Sequence, residues 1–225
     1  MPEWWTYTLS DFQQFSTRTY YRLFELHNGA LWPAHVLAFA IGVAILTMLR
    51  RPTVKRSRVV FALLAACWLF VAIAFHVARY ATINRLAAYF AAAFVLEGLL
   101  LVWSGVARPK LQLEIGRAGL VIFVFALLAQ PLLGLLFGRE WPQLETFGIA
   151  PDPTAVATLG VLVAAKGRAR WVLLAIPILW CFVSGATLAA MRTPGAWLSP
   201  LAGVLALAMT RRRIAGSSAS KHPED

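Results

Sequence analysis

Residues 85–106 form an almost unbroken apolar run with one carboxylate, Glu97, near its middle. About 20 apolar residues suffice for a helix to cross the hydrocarbon core of a bilayer. An ionised acid at that depth is strongly disfavoured, so Glu97 must be protonated, paired or turned toward a hydrated space. Similar runs recur at 30–49, 59–77, 120–137 and 171–191, with shorter ones at 155–165 and 197–209. The pattern predicts an all-helical, polytopic membrane bundle of about seven transmembrane helices.

Composition agrees. Hydrophobic residues are 60% of the 225 and charged residues 14%, against about 45–50% and about 25% in soluble domains. That is more apolar surface than one water-soluble core can hide. The formal net charge of +11 would suggest nucleic acid in a soluble protein. Here the basic residues cluster between apolar runs, which suits the cytoplasmic flank of a membrane and excludes a nucleic-acid groove. If all seven runs cross, one side holds the 50–58 cluster, Arg108, Lys110 and Arg117, then Lys166, Arg168 and Arg170, and finally Arg211, Arg212, Arg213 and Lys221. That is fifteen of the 21 basic residues; Arg18, Arg22, Arg79, Arg85, Arg139 and Arg192 take the other side. The bias predicts an amino terminus outside and a carboxyl terminus inside.

Three regions follow. Residues 1–28 combine Trp4, Trp5, Tyr7, Phe12, Phe15, Tyr20, Tyr21 and Phe24 with Asp11, Arg18, Arg22 and Glu25, the make-up of an extracytoplasmic interfacial segment. Ser16 is its candidate N-cap, Tyr20, Leu23 and Phe24 share a face, and the helix is expected to end before Gly29. Residues 29–213 are the seven-span domain. Residues 214–225 read as a disordered cytoplasmic tail.

The opening MPEWWTYTLSDF, then FSTRTYYRLFELHN and the Trp-Pro of the first span, resembles the amino terminus of a bacterial integral-membrane family carried as a domain of unknown function. The resemblance is sharp over residues 1–35 and elsewhere rests on length and hydropathy. It implies a multi-pass protein of the bacterial inner membrane, and brings no activity, cofactor or site residues.

Chemistry must therefore come from polar groups at depth. Glu97 and Gln130 both fall near the midplane. Gln130 is placed to donate to the acid, and Pro131 removes a backbone donor and bends the helix. A protonatable acid beside a bent helix suits transport of a small solute linked to protons; a structural interhelical hydrogen bond needs no acid. His35 and His76 are expected at similar depth near the outer ends of the first two spans. Two such imidazoles could ligate haem, or a divalent metal with His27 as third ligand; the alternative is that each bonds a carbonyl or water. No cofactor is required by any other feature. Cys67 and Cys181 lie in apolar runs without a CxxC pattern and read as buried thiols. Glu140, Glu145 and Asp152 read as solvated loop charge.

Several classes are excluded. All four lysines lie in loops or the tail, so no spanning lysine can carry a retinal Schiff base. HExxH, GxSxG and GxxxxGK[ST] are absent from the sequence, leaving zinc-protease, serine-hydrolase and nucleotide-binding chemistry without a motif. The expected functions are then small-solute or proton-linked transport, a non-catalytic assembly partner for another membrane protein or for a second copy, or a haem- or metal-binding redox subunit. The bilayer is the one partner common to all three.

Overall fold

The structure, a computed structural model, describes residues 15–108, 111–114 and 116–219. Trp4, Trp5, Tyr7, Phe12, Lys110 and Lys221 lie outside these residues.

Helix α1 (Thr17–Leu31) starts where its cap predicts: the Ser16 hydroxyl accepts from the Thr19 amide at 3.2 Å. It runs past Gly29, because a glycine weakens a helix without ending it. Its buried face is Tyr20, Leu23, Phe24 and His27, which includes the three residues expected to face one way. After Trp32–Pro33 the chain turns by 89° into α2 (Ala34–Arg50).

Helix α3 (Val54–Val71) continues through a π turn, Ala72–Val77; α4 (Ala87–Leu101) continues through another, Val102–Ala107. Helices α5 (Arg117–Val124) and α6 (Gln130–Leu136) are joined by a third, Phe125–Ala129. That third turn answers Pro131, whose ring would collide with the carbonyl four residues back. The Gln130 amide bonds Phe125 O, five residues back, so wider winding absorbs the proline and 117–136 remains one span-length helix.

Four helices are long and apolar enough to cross a membrane: Val54–Thr82, Ala87–Ala107, Arg117–Leu136 and Arg170–Ala190, the last being α8. A fifth joins them if α1 and α2 form one bent span. Among the described residues the expected first, fifth and seventh spans, α2 of 17 residues, α7 (Pro151–Ala164) and α9 (Leu198–Ala219), do not meet that standard singly. Helix α9 also extends six residues into the segment expected to be disordered. Leu37, Ile73, Leu96, Val121, Leu132 and Leu179 are all more than half exposed on the outer faces of these helices. So continuous an apolar exterior suits hydrocarbon better than water.

The centre is α7. All 14 of its residues are buried, and α5, α8, α9 and α3 pack around it. At 1.5 Å per residue it is about 21 Å long, shorter than the bilayer core, and its ends meet protein. Below, Gln112–Leu113 (β1) pairs antiparallel with Ala165–Lys166 (β2), Gln112 opposite Lys166. The Leu113 amide donates to Ser57 Oγ at 3.3 Å. One end of the bundle thus gathers the segments carrying the 50–58, 108–117 and 166–170 basic clusters. Above, α1 holds the segment before α7: Asn28 Nδ2 donates to the carbonyls of Pro142 and Leu144 at 2.8 and 2.9 Å, and His27 Nε2 to that of Ile149 at 3.1 Å.

Candidate functional site

Pro151, Asp152 and Pro153 open α7. A proline at the first helical position loses no intrahelical bond, and an acid in the first turn lies at the positive end of the helix dipole. Asp152 is 3% exposed. Its Oδ1 accepts from Trp180 Nε1 at 2.8 Å, and its Oδ2 from Ser184 Oγ at 2.5 Å and Ser199 Oγ at 2.8 Å. One carboxylate thereby fastens α7 to α8 and α9, and three donors offset the cost of burying its charge.

Glu145 lies beside it. Gly138, at φ +81°, and Gly148, at φ +75°, supply the left-handed turns that fold residues 139–147 back into the bundle, where a side chain would be strained. Arg139 Nη1 donates to Glu145 Oε1 at 2.5 Å, both side chains being nearly buried, and the guanidinium stacks over Tyr21 of α1 at 4.7 Å. Burial, and after it the negative charge of Asp152, outweigh Arg139 and push the Glu145 carboxyl up to about 7. Arg139, Glu145 and Asp152, with Gln130, Gly134 and Ser199, line a cavity of about 30 Å³. Glu145 Oε2, Gln130 Oε1 and Arg139 Nε have no partner. Two free acceptors and one free donor around such a volume make a site for one or two water molecules.

The sequence-predicted residues divide. Gln130 joins this cavity. Glu97 does not join it through a hydrogen bond to Gln130: Glu97 is fully buried on α4 and both its oxygens lack a partner. His76 is fully buried, within 6.2 Å of the rings of Phe75, Tyr80, Phe90, Phe94 and Trp180, and neither nitrogen has a partner. His35 sits elsewhere, Nε2 bonded to Asn28 Oδ1 at 3.2 Å. Among the described residues no three His, Cys, Asp or Glu side chains assemble to hold a metal. Cys67 and Cys181 are free and buried.

The loop acids require a correction. Glu140 is exposed as expected, but Glu145 and Asp152 are buried, at 6% and 3%. Opposite charges at Arg139 and Glu145, and an acid between two prolines at the mouth of an apolar run, were the signals available. Without the folded-back loop those residues read as solvent-facing.

Fold and site together define a predominantly helical protein with span-length apolar helices around a buried central helix, and a polar, acid-bearing interior at one end. The chain belongs to a family of unknown function, DUF6064, whose model matches residues 17–221. The match begins after MPEWWTYTLSDF and covers the stretch where the resemblance rested only on length and hydropathy. No curated protein and no solved structure matches the chain.

Proposed function

We propose that this chain is a seven-span carrier of the bacterial inner membrane that moves a small solute in company with protons. Its amino terminus lies outside and its carboxyl terminus inside. The observation that carries this is the pair Glu145 and Asp152, buried with a single guanidinium on a water-sized cavity at the start of the central helix. A carboxyl group held near 7 exchanges its proton at physiological pH, which a proton-coupled step requires. Glu97, deeper and unpartnered, is the natural second station. Gln130 and the π turn before it connect the cavity to a helix that has two ways of winding, an element able to change register. Gathering three basic clusters at one end supports seven crossings, since α7 must then return the chain to that end.

Proteoliposomes enclosing a pH-sensitive dye test this against panels of amino acids, sugars, organic acids and amines. Solute-dependent internal acidification is expected, absent in Glu145→Gln and reduced at least tenfold in Glu97→Gln. Identical traces for wild type and both variants with every solute would reject the reading.

A further inference from the structure

The end of the bundle where β1 pairs with β2 is crowded with positive charge. Lys55, Arg56, Arg58, Arg108, Lys166 and Arg168 are all exposed there. They come from three separate segments, which the Ser57–Leu113 hydrogen bond and the pairing of Gln112 with Lys166 hold side by side. Among the described residues this end offers one acid, Glu114, paired with Lys166, and the other five cations have no carboxylate partner. The first turn of α3 holds Lys55 and Arg56 and no acid, so these charges also meet the positive end of a helix dipole. Folding has gathered like charges without an equal number of acids to offset them.

Apolar side chains share the same surface. Val54 and Val59, 55% and 42% exposed, stand on the turns of α3 that carry Lys55, Arg56 and Arg58. Trp103, 50% exposed, lies under the Arg108 guanidinium, 4.5 Å from the ring centre. Trp171, 36% exposed, follows Arg170 at the start of α8. Tryptophan and arginine meeting on an apolar exterior mark the depth where hydrocarbon gives way to headgroups. A nucleic acid would leave the valines facing water. A phospholipid leaflet presents phosphates and hydrocarbon at adjoining depths, which matches cations and valines on successive residues of one helix.

We infer that this end binds anionic phospholipid headgroups of the adjoining leaflet, with Lys55, Arg56, Arg58, Arg108 and Arg168 as partners of the phosphates. Cations clustered beside a membrane-spanning helix are drawn to such a surface. The inference rests on reading the apolar helices as membrane spans. It is independent of transport and of which side of the membrane this end occupies.

The test is thermal unfolding of the detergent-purified full-length protein with didecanoyl phosphatidylglycerol or didecanoyl phosphatidylcholine added to the micelles. A ligand of the native state raises Tm. Phosphatidylglycerol is expected to raise it several degrees more than phosphatidylcholine, and salt at about 0.5 M should remove most of that difference by screening. Lys55→Gln/Arg58→Gln should lower the difference by at least half. Arg18→Gln/Arg22→Gln, which removes the same charge from exposed positions at the opposite end, should leave it unchanged. Equal shifts from the two lipids, or equal losses in the two double variants, would overturn the inference. So would the same shift from inorganic phosphate or a DNA duplex at matched phosphate concentration, by assigning the surface to a soluble anion. Carbonate extraction of cell membranes tests the underlying reading separately. A chain released into the supernatant rejects the spans and the inference together; a retained chain whose Tm does not respond to phosphatidylglycerol rejects the lipid site alone.

Discussion

Glu145 is the residue whose environment departs most from what its neighbours in sequence suggest. Its pKa is raised, so the folded state holds a proton that the unfolded chain has released. The stability this confers is complete below about 4.5 and is lost as pH rises through about 7. Thermal melts of the wild type between pH 5 and 8 should therefore show Tm falling as pH rises. Glu145→Gln should flatten that slope, removing a term of roughly 3 kcal/mol at most; an unchanged slope would mean that another group titrates. Arg139→Met leaves two buried acids facing one another without their cation and should cost about 3–5 kcal/mol. Adding Glu145→Gln should restore much of that loss, and a strictly additive double variant would show that the pair does not interact. His76 and Glu97, which stand out in the sequence as polar groups inside apolar runs, are both fully buried. Whether their nitrogens and oxygens find partners depends on neighbouring helices, and that was beyond the reach of spacing.

At the scale of elements, the close contact between α5 and α7 sets the centre of the bundle. A Cβ on Gly160 would lie 2.7 Å from the Phe123 amide nitrogen and 2.8 Å from the Gly119 carbonyl oxygen. Both are backbone atoms that no rotamer change can move aside, as where small residues let membrane helices approach. Gly160→Ala should lower stability by about 1–3 kcal/mol. Gly29→Ala, in α1 with open space around it, should be neutral or stabilising by up to about 1 kcal/mol. Melts of the two variants in the same detergent compare them directly, and equal Tm values would place the helix contact elsewhere. The sequence signals for α1 were strong because a cap and an amphipathic face are local. Those for α7 were weak because a short, wholly buried helix has no polar face to give it a period. The apolar run 155–165 looked like a span cut short; in the structure it lies in a wholly buried helix whose ends are covered by other chain segments.

For the molecule as a whole, orientation is the testable property. Single cysteines replacing Glu140 and Arg168, in a background with Cys67 and Cys181 changed to serine, should react with a membrane-impermeant maleimide from opposite sides. Glu140→Cys is expected to label in intact cells, and Arg168→Cys only after permeabilisation. Labelling of both from one side would reduce the number of crossings and remove the proposed arrangement.

The apolar runs, the basic clusters between them and the α1 cap were set by the sequence alone. Each depends on residues close together in the chain and on the period of a helix. The acid-bearing cavity was decided by tertiary structure. Gln130, Arg139, Glu145 and Asp152 meet Ser184 and Ser199 only when the loop before α7 folds inward and α8 and α9 close over it. Burial, which turns an ordinary loop carboxylate into a group poised near neutrality, is a property of that closure and of no local pattern.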